Sequence, residues 1–328
     1  MKKCVFILPY FGTFKNYFPL FLKSCSRNPD FDWLLITDNT EPYPYPDNVQ
    51  VFPMSFEAMQ EKAQERFDFP ISLTRPYKLC DYRPAYGYLF EEYIKEYEWW
   101  GYCDCDVILG DLAHFLFPLF EKQYDKIFAA GHMTIYRNTR EINRRFMNTC
   151  HGEQWYRRVF STPDACCFDE DYRTEKYQNH NIHHIFLEDH AKVYQTDHCF
   201  GISVTYSQFL RAQYAAGTGR FPVQPYEKAL YVWDNGDLKQ ITAGENGELQ
   251  TKRYIYMHFH ARKMKYNDSV YSEPLIQIYP NGFRKLEKLP VSREEWERLA
   301  RFSPNLHRVG RKWYDIKRAF KRKINRKK

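Results

Sequence analysis

The feature that most constrains the fold is an alternation of short apolar runs and amphipathic stretches over the first 135 or so residues. Residues 4–8, 33–36 and 49–52 are apolar runs of strand length, and residues 17–25 between the first two have helix-like apolar spacing. Strands that alternate with helices predict an α/β fold, with a mainly parallel sheet flanked by helices.

Polar residues and a proline stand directly after several of these predicted strands. Pro9, Asp38 and Asp104 each follow an apolar run. Ligands of a parallel sheet bind in the crevice at the carboxyl ends of its strands. We therefore expect these three residues to share one ligand-binding edge.

Local signals place further elements along the chain. We predict a helix over residues 55–66 with Ser55 as its N-cap, a longer helical region over 78–97 kinked at Pro84, buried strands over 127–130 and 254–259, and a hairpin turning at residues 234–237.

The cysteines and the apolar content limit the class of protein. Nine scattered cysteines and no secretory signal favour reduced thiols in a cytoplasmic protein. A zinc site is an alternative, but the paired C-x-x-C spacing typical of such sites is missing from the sequence. The apolar stretches are all far shorter than the roughly 18 residues that span a bilayer.

Two pairs of residues carry metal-binding chemistry. Asp104 and Asp106 are two residues apart just past a strand, where both carboxylates can converge on one hard divalent ion. His258 and His260 are also two apart, on one face of a predicted strand, and imidazole suits Mn²⁺ among carboxylates. Mn²⁺ or Mg²⁺ held there could bridge the phosphates of a nucleotide diphosphate.

The aromatic strand before Asp104-Cys105-Asp106, with the Gly110-Asp111-Leu112 turn after it, resembles the glycogenin-like and lipooligosaccharide-galactosyltransferase-like branch of GT-A glycosyltransferases. Residues 1–140 and 254–264 also resemble an uncharacterised bacterial glycosyltransferase family of capsule and lipopolysaccharide loci. The resemblance implies a GT-A-like (Rossmann-like) fold, His258 as the third metal ligand, and a UDP-sugar as donor.

The resemblance also implies residues that bind the nucleotide sugar. Matching positions for the base, the basic helix, the sugar-lining strand and the diphosphate are Pro9, Tyr10, Phe11, Lys78, Asp81, Arg83, Gly131, His132, Arg262 and Lys263. Asp38 and Asp104 complete this set. Position 129 is alanine where the family has asparagine, which removes one expected contact with the donor sugar.

A run of acids is the predicted catalytic element. Asp169, Glu170 and Asp171 resemble the family's acceptor loop, in which a carboxylate can take the acceptor's proton or stabilise an oxocarbenium-like centre. Residues 188–190 (Glu-Asp-His) are a second candidate for this role.

The positive charge of the chain is concentrated at its end. Residues 308–328 carry eleven basic residues and one acid, so the rest of the chain is net negative although the whole is +7. Trp313, Ile316, Phe320 and Ile324 form an apolar stripe between these charges, which predicts an amphipathic helix on anionic lipid. We expect a cytoplasmic protein, peripheral at the inner face of the plasma membrane, that binds no nucleic acid.

The predicted division of labour is a nucleotide-sugar half over residues 1–140, an acceptor-binding and metal-completing half over 141–306, and a membrane-associating tail over 307–328. The partners would be a nucleotide-sugar donor and a cell-surface polysaccharide or lipid-linked glycan acceptor. Two alternatives stay open: a metal-dependent phosphoryl or nucleotidyl transferase, although the sequence has no phosphate-binding glycine loop, and a non-enzymatic peripheral membrane protein.

Overall fold

The structure, a computed structural model, describes residues 3–173, 180–260, 262–301, 303, 306, 309–310 and 312–317. The chain divides into two compact units. The first consists of Met1–Cys105, Asp111–His198 and Tyr214–Pro222, and the second of Asp106–Gly110, Cys199–Gln213 and Val223–Lys328.

The strands are β1 Cys4–Pro9, β2 Phe31–Thr37, β3 Val49–Pro53, β4 Trp99–Cys103, β5 Val107–Leu109, β6 Lys126–Ile127, β7 Met133–Arg137, β8 Val193–Tyr194, β9 Phe200–Gly201, β10 Leu230–Asp234, β11 Asp237–Ala243, β12 Leu249–Tyr254, β13 Tyr256–His258, β14 Leu275–Tyr279 and β15 Gly282–Lys285. The α-helices are α1 Phe18–Ser26, α2 Phe56–Gln64, α3 Leu79–Tyr82, α4 Tyr86–Leu89, α5 Leu112–Glu121, α6 Arg140–Arg144, α7 Trp155–Ser161, α8 Ile182–Glu188 and α9 Arg293–Leu299. Short 3₁₀ turns lie at Pro76–Lys78, Arg83–Ala85, Glu91–Tyr93, Arg145–Met147 and Asp268–Val270.

The first unit is built on a seven-stranded sheet in the order β3-β2-β1-β4-β7-β6-β8. The strands from β3 to β4 are parallel, whereas β7 runs antiparallel to both β4 and β6. Every residue of β2 and all but Pro9 of β1 are buried, as continuous apolar runs predict for strands covered on both faces. The predicted mixed α/β fold with a mostly parallel sheet is confirmed.

The helices of this unit follow the sequence signals in part. Ser55 caps α2 by accepting a hydrogen bond from the amide of Ala58, as predicted. The helical region predicted over residues 78–97, interrupted or kinked at Pro84, is confirmed in its interruption, but it ends at Tyr93 and is broken into short pieces. Short α and 3₁₀ turns make up the region, because Pro84 cannot donate a backbone hydrogen bond and the chain tightens into a 3₁₀ turn around it.

Two predicted strands are shorter than expected. The strand predicted over 127–130 ends at Ile127, because Phe128 has a positive φ of 73° that no regular strand accommodates. The strand predicted over 254–259 is divided at Ile255 into β12 and β13, and β13 ends at His258. His260, with φ of 53°, lies in a turn beyond that end.

The second unit contains two further sheets among its described residues. The larger is antiparallel, in the order β12-β11-β10-β14-β15, and the smaller has the order β5-β13-β9. The predicted hairpin is confirmed: β10 and β11 pair antiparallel, and Asn235 and Gly236 both have positive φ, as a two-residue primed turn requires. Leu230 and Trp296 of α9 belong to the core of this unit.

The end of the chain is described only in part. Residues 312–317 are helical, and Trp313 and Ile316 are exposed, whereas Phe320 and Ile324 of the predicted stripe lie outside the described residues. Among the described helices, none is both long enough and apolar enough to cross a membrane.

Candidate functional site

The carboxyl ends of β1 and β2 are tied together at the predicted nucleotide edge. The amide of Tyr10 donates to the carbonyl of Ile36 at 2.8 Å, and the amide of Gly12 donates to Asp38 Oδ1 at 2.7 Å. Gly12 has a φ of 101°, which favours glycine at this position. Pro9, Asp38 and Asp104 lie at the carboxyl ends of the parallel strands β1, β2 and β4, as the sequence predicts, and Tyr10 follows Pro9 at the same edge.

The aromatic residues at this edge have different environments. Phe11 is buried and packs edge-on against Phe56, with ring centroids 5.3 Å apart. Tyr10 is half-buried and stacks on Phe14 at 4.6 Å. Of the two, Tyr10 offers the more accessible ring for a ligand.

Arg83 connects two acidic residues that are far apart in sequence. Its guanidinium forms ion pairs with Asp104 and with Asp169 Oδ2, the latter at 3.0 Å, and donates to the carbonyl of Gly131 at 2.6 Å. The amide of Gly131 donates in turn to Glu170 Oε2 at 3.2 Å. We call these five residues the Arg83 cluster.

The backbone holds the Arg83 cluster in place. Asp104 follows β4 directly, and its amide donates to the carbonyl of His132 at 3.1 Å. The hydroxyl of Tyr102, within β4, donates to the carbonyl of Asp169 at 2.7 Å. A Cβ on Gly131 would lie 2.9 Å from Asp169 Oδ2, so the close approach of the acidic loop requires glycine there.

Burial and neighbouring charges shift the pKa values of Asp169 and Arg83 in the Arg83 cluster. Burial raises the pKa of the Asp169 carboxyl well above its usual range; Arg83 opposes this shift and the neighbouring Glu170 adds to it. The pKa of Arg83 is raised although burial alone would lower it, because Asp104, Cys80 and Asp169 lie beside it. The cluster therefore combines a permanent cation with a carboxyl group, Asp169, whose ionisation is opposed by burial and favoured by Arg83.

Asp171, the third acid of the predicted catalytic run, has a different environment. It is fully buried and accepts hydrogen bonds from the Tyr214 hydroxyl at 2.7 Å and from Arg173 Nε at 3.0 Å, with His184 Nε2 3.2 Å away. Burial alone raises the pKa of Asp171, but the bonds from His184, Arg173 and Tyr214 reverse this and lower it. Asp171 is thus a fixed anion that anchors its loop.

Lys78 and Asp81 form a buried ion pair, 2.7 Å between Lys78 Nζ and Asp81 Oδ2. Lys78 Nζ also donates to the carbonyls of Val159 at 2.8 Å and Asp164 at 2.6 Å, so each of its three donors has a protein acceptor. The predicted nucleotide contacts of both residues stay predictions, since in this structure their side chains bond to protein groups.

Asp81 also accepts hydrogen bonds from the chain segment directly before the acidic run 169–171. It accepts from the amide of Cys166 at 2.9 Å and from that of Phe168 at 3.0 Å. Asp169 comes directly after Phe168. The Lys78–Asp81 pair therefore sets the backbone that leads into the predicted catalytic acids.

In the second unit, Asp106 and His258 lie side by side. β5 and β13 pair antiparallel with Val107 opposite His258, and the amide of Phe259 donates to the carbonyl of Asp106 at 3.1 Å. His258 Nε2 is 3.0 Å from Asp106 Oδ1. The His260 ring lies against that of His258, with centroids 3.8 Å apart.

The basic residues after His260 differ in exposure. Arg262 is buried, and its guanidinium donates to the carbonyls of Ser207 at 2.7 Å and Tyr206 at 2.6 Å, which fixes that loop. Lys263 is exposed. The predicted diphosphate contact stays a prediction for both, and Lys263 has the more accessible charge.

With Cys105 between them, Asp104 and Asp106 are covalently held two positions apart. Asp104, Asp106 and His258 each offer one ligand atom, and two carboxylate oxygens with one imidazole nitrogen fit Mn²⁺ or Mg²⁺. The donor chemistry therefore agrees with the predicted metal.

Sequence reasoning missed two residues near these groups, Tyr77 and Lys126. Tyr77 is 68% exposed, and its pKa is raised to about 12 by the neighbouring Cys80, by burial of its hydroxyl, and by Cys167, Asp169 and Glu170. Lys126 is fully buried and donates to the carbonyl of the strained Phe128 and to His183 Nδ1. The sequence signal that could have pointed to Tyr77 is its position directly before Lys78, whereas no local pattern distinguishes the buried Lys126 from an exposed lysine.

Comparison with known proteins gives three findings. A family model matches residues 6–287, and its description is a family of unknown function (DUF6625). Among the curated proteins, no match is found. Among solved structures, the galactosyltransferase LgtC in complex with donor and acceptor sugar analogs aligns over 61% of this chain and 75% of its own, with 11% identity and a TM-score of 0.31. A TM-score this low carries no argument about the function of this chain.

Proposed function

This chain belongs to DUF6625, a family of unknown function, and we propose that it is a metal-dependent glycosyltransferase with a GT-A-like fold. It would move a sugar from a nucleotide-diphosphate donor, of which UDP-sugars are the first to test, to a glycan or lipid-linked acceptor. The observation that carries the proposal is that His258 Nε2 lies 3.0 Å from Asp106 Oδ1. Asp106 comes two residues after Asp104, which directly follows the sheet strand β4.

Asp104, Asp106 and His258 would hold Mn²⁺ or Mg²⁺. When bound, such an ion neutralises the diphosphate leaving group. The edge formed by Pro9, Tyr10 and Asp38 would receive the nucleotide, because ligands of parallel sheets bind at the carboxyl ends of the strands.

Arg83 would orient the metal-binding carboxylate. Its ion pair with Asp104 fixes one carboxylate oxygen, and its second ion pair, with Asp169, holds the acidic loop against the same guanidinium. A permanent cation between two acids lets them stay close without mutual repulsion. This supports Arg83 as the residue that joins the donor side of the site to the acceptor loop.

Among the three predicted catalytic acids, Glu170 would meet the acceptor. Asp171 is anchored by Arg173 and Tyr214, and Asp169 is buried against Arg83, whereas Glu170 is partly exposed and oriented by the amide of Gly131. A partly exposed carboxylate can accept the proton of an acceptor hydroxyl or stabilise positive charge at the anomeric carbon.

The test is release of UDP from a panel of UDP-sugars by the full chain, with and without Mn²⁺. We expect metal-dependent release that falls about 100-fold or more in Glu170→Gln, since loss of a general acid–base group typically costs about 10²–10⁴-fold. Glu57→Gln, an exposed glutamate on α2, is the matched control. If Glu170→Gln and Glu57→Gln released UDP at equal rates, Glu170 would have no role in the reaction.

A further inference from the structure

A group of metal-ligating side chains lies in the first unit, apart from the Arg83 cluster. Cys150, His151 and Glu188 each offer one ligand atom, and these atoms lie within 4.8 Å of one another. His151 Nδ1 and Glu188 Oε2 are 3.8 Å apart. Metal bonds of about 2.0–2.3 Å at tetrahedral angles separate ligand atoms by roughly 3.3–3.8 Å, so only a small movement would be needed.

We propose that Cys150, His151 and Glu188 form a zinc site that joins the chain segment after Met147 to the end of α8. A thiolate, an imidazole and a carboxylate are a ligand set that zinc accepts, whereas Mg²⁺ and Mn²⁺ prefer oxygen ligands. The ligand set therefore distinguishes this site from the proposed Asp104–Asp106–His258 site, and the proposal does not depend on the proposed function.

The backbone on both sides of the three ligands is held by hydrogen bonds. Trp155 Nε1 donates to the carbonyl of Cys150 at 2.9 Å, and Asn148 Nδ2 donates to Asp189 Oδ2 at 2.7 Å. The amide of His151 donates to both carboxylate oxygens of Glu188, at 3.0 and 3.2 Å. Ligands that are positioned before binding lose less conformational entropy when the metal arrives.

His151 itself is held in a strained conformation. Its φ is 52°, in the left-handed region that non-glycine residues seldom adopt, and its ring points toward Glu188. The ring of His180 lies 6.3 Å from that of His151 and stacks on Trp155 at 3.7 Å. The His180 ring therefore lies beside the group without belonging to it.

Metal binding at this group must release a proton. Zinc binds cysteine as the thiolate, so a Cys150 thiol must lose its proton to become a ligand. As the Zn–S bond forms, the S–H bond breaks and its proton passes to solvent. Uptake of one Zn²⁺ should therefore release about one proton.

The experiment is competition titration of the EDTA-treated full chain with Zn²⁺ against a chromophoric chelator. We expect one zinc per chain at this site, with affinity at least about tenfold weaker in His151→Ala. His114→Ala, which removes another exposed histidine, and Asp106→Asn, which alters the other proposed metal site, should leave this binding unchanged. His151 is exposed, so its truncation does not threaten the core.

A second measurement identifies the sulfur ligand. Co²⁺ in place of zinc should give a sulfur-to-metal charge-transfer band that Cys150→Ser removes, together with a release of about one proton per metal in calorimetry across buffers of different ionisation enthalpy. Zinc binding that is equally strong in His151→Ala and wild type, or that disappears in Asp106→Asn, would overturn the proposal.

Discussion

Replacing Lys78 by methionine should destabilise the first unit by removing one half of a buried ion pair. Both side chains of the Lys78–Asp81 pair are fully buried. Methionine retains most of the volume of the lysine side chain but offers no donor to Asp81 or to the carbonyls of Val159 and Asp164.

The magnitude follows from what remains around Asp81. Removing one partner of a buried ion pair costs about 3–5 kcal/mol, because the other charge is left without its partner. Asp81 keeps its hydrogen bonds from the amides of Cys166 and Phe168, which stabilise the remaining charge. We therefore expect a loss of about 3 kcal/mol, or a Tm lower by about 6–12 °C.

The assay is thermal unfolding followed by near-ultraviolet circular dichroism, with Lys62→Met as the control. Lys62 pairs with Glu92 at the surface, where Glu92 is 46% exposed, so its loss should cost less than about 1 kcal/mol. The double variant Lys78→Met/Asp81→Asn removes both charges and should recover part of the loss. A Tm for Lys78→Met equal to that of Lys62→Met would refute the reasoning.

Three further predictions follow. Burial lowers the pKa of Lys126 to about 7, so between about pH 7 and 10 the unfolded chain binds more protons than the folded chain and stability rises with pH. In urea unfolding, the free energy of unfolding of wild type should therefore rise by about 2 kcal/mol relative to Lys126→Met from pH 7 to pH 9. A difference between the two proteins that does not change with pH would contradict this. Gly131→Ala should keep its circular dichroism but lose UDP release, because the new Cβ meets Asp169 and Glu170. Truncation after residue 306 should reduce the amount of protein that sediments with anionic vesicles, without reducing UDP release. If sedimentation did not change, the tail would not be a lipid-binding segment.

The parts of the fold that the sequence predicts are those specified locally. The strands β1 and β2 are continuous apolar runs because both faces of the sheet are covered. Ser55 and the Asn235-Gly236 turn act through their own backbone neighbours, so they could also be recognised. The region around Pro84 was harder, since a helix-like apolar pattern there competes with a residue that interrupts helical hydrogen bonding.

The candidate site was predictable as a set of residue types but not as a set of contacts. Asp104 and Asp106 form a short motif, and Asp106 does lie beside His258. The contact between Arg83 and Asp169 joins positions 86 apart, and Lys78 reaches Asp164 over the same separation. Sequence alone gives no indication of which lysine is buried against such distant carbonyls and which is free to bind a ligand.

Isothermal titration of the full chain with UDP, with and without Mn²⁺, tests the proposed metal-dependent nucleotide site most directly. We expect UDP to bind in the presence of Mn²⁺, and this binding to be lost in Asp106→Asn but kept in Asp30→Asn, which alters an exposed aspartate elsewhere. UDP binding that is indifferent to Mn²⁺, or that is equal in the two variants, would contradict a metal site at Asp104, Asp106 and His258.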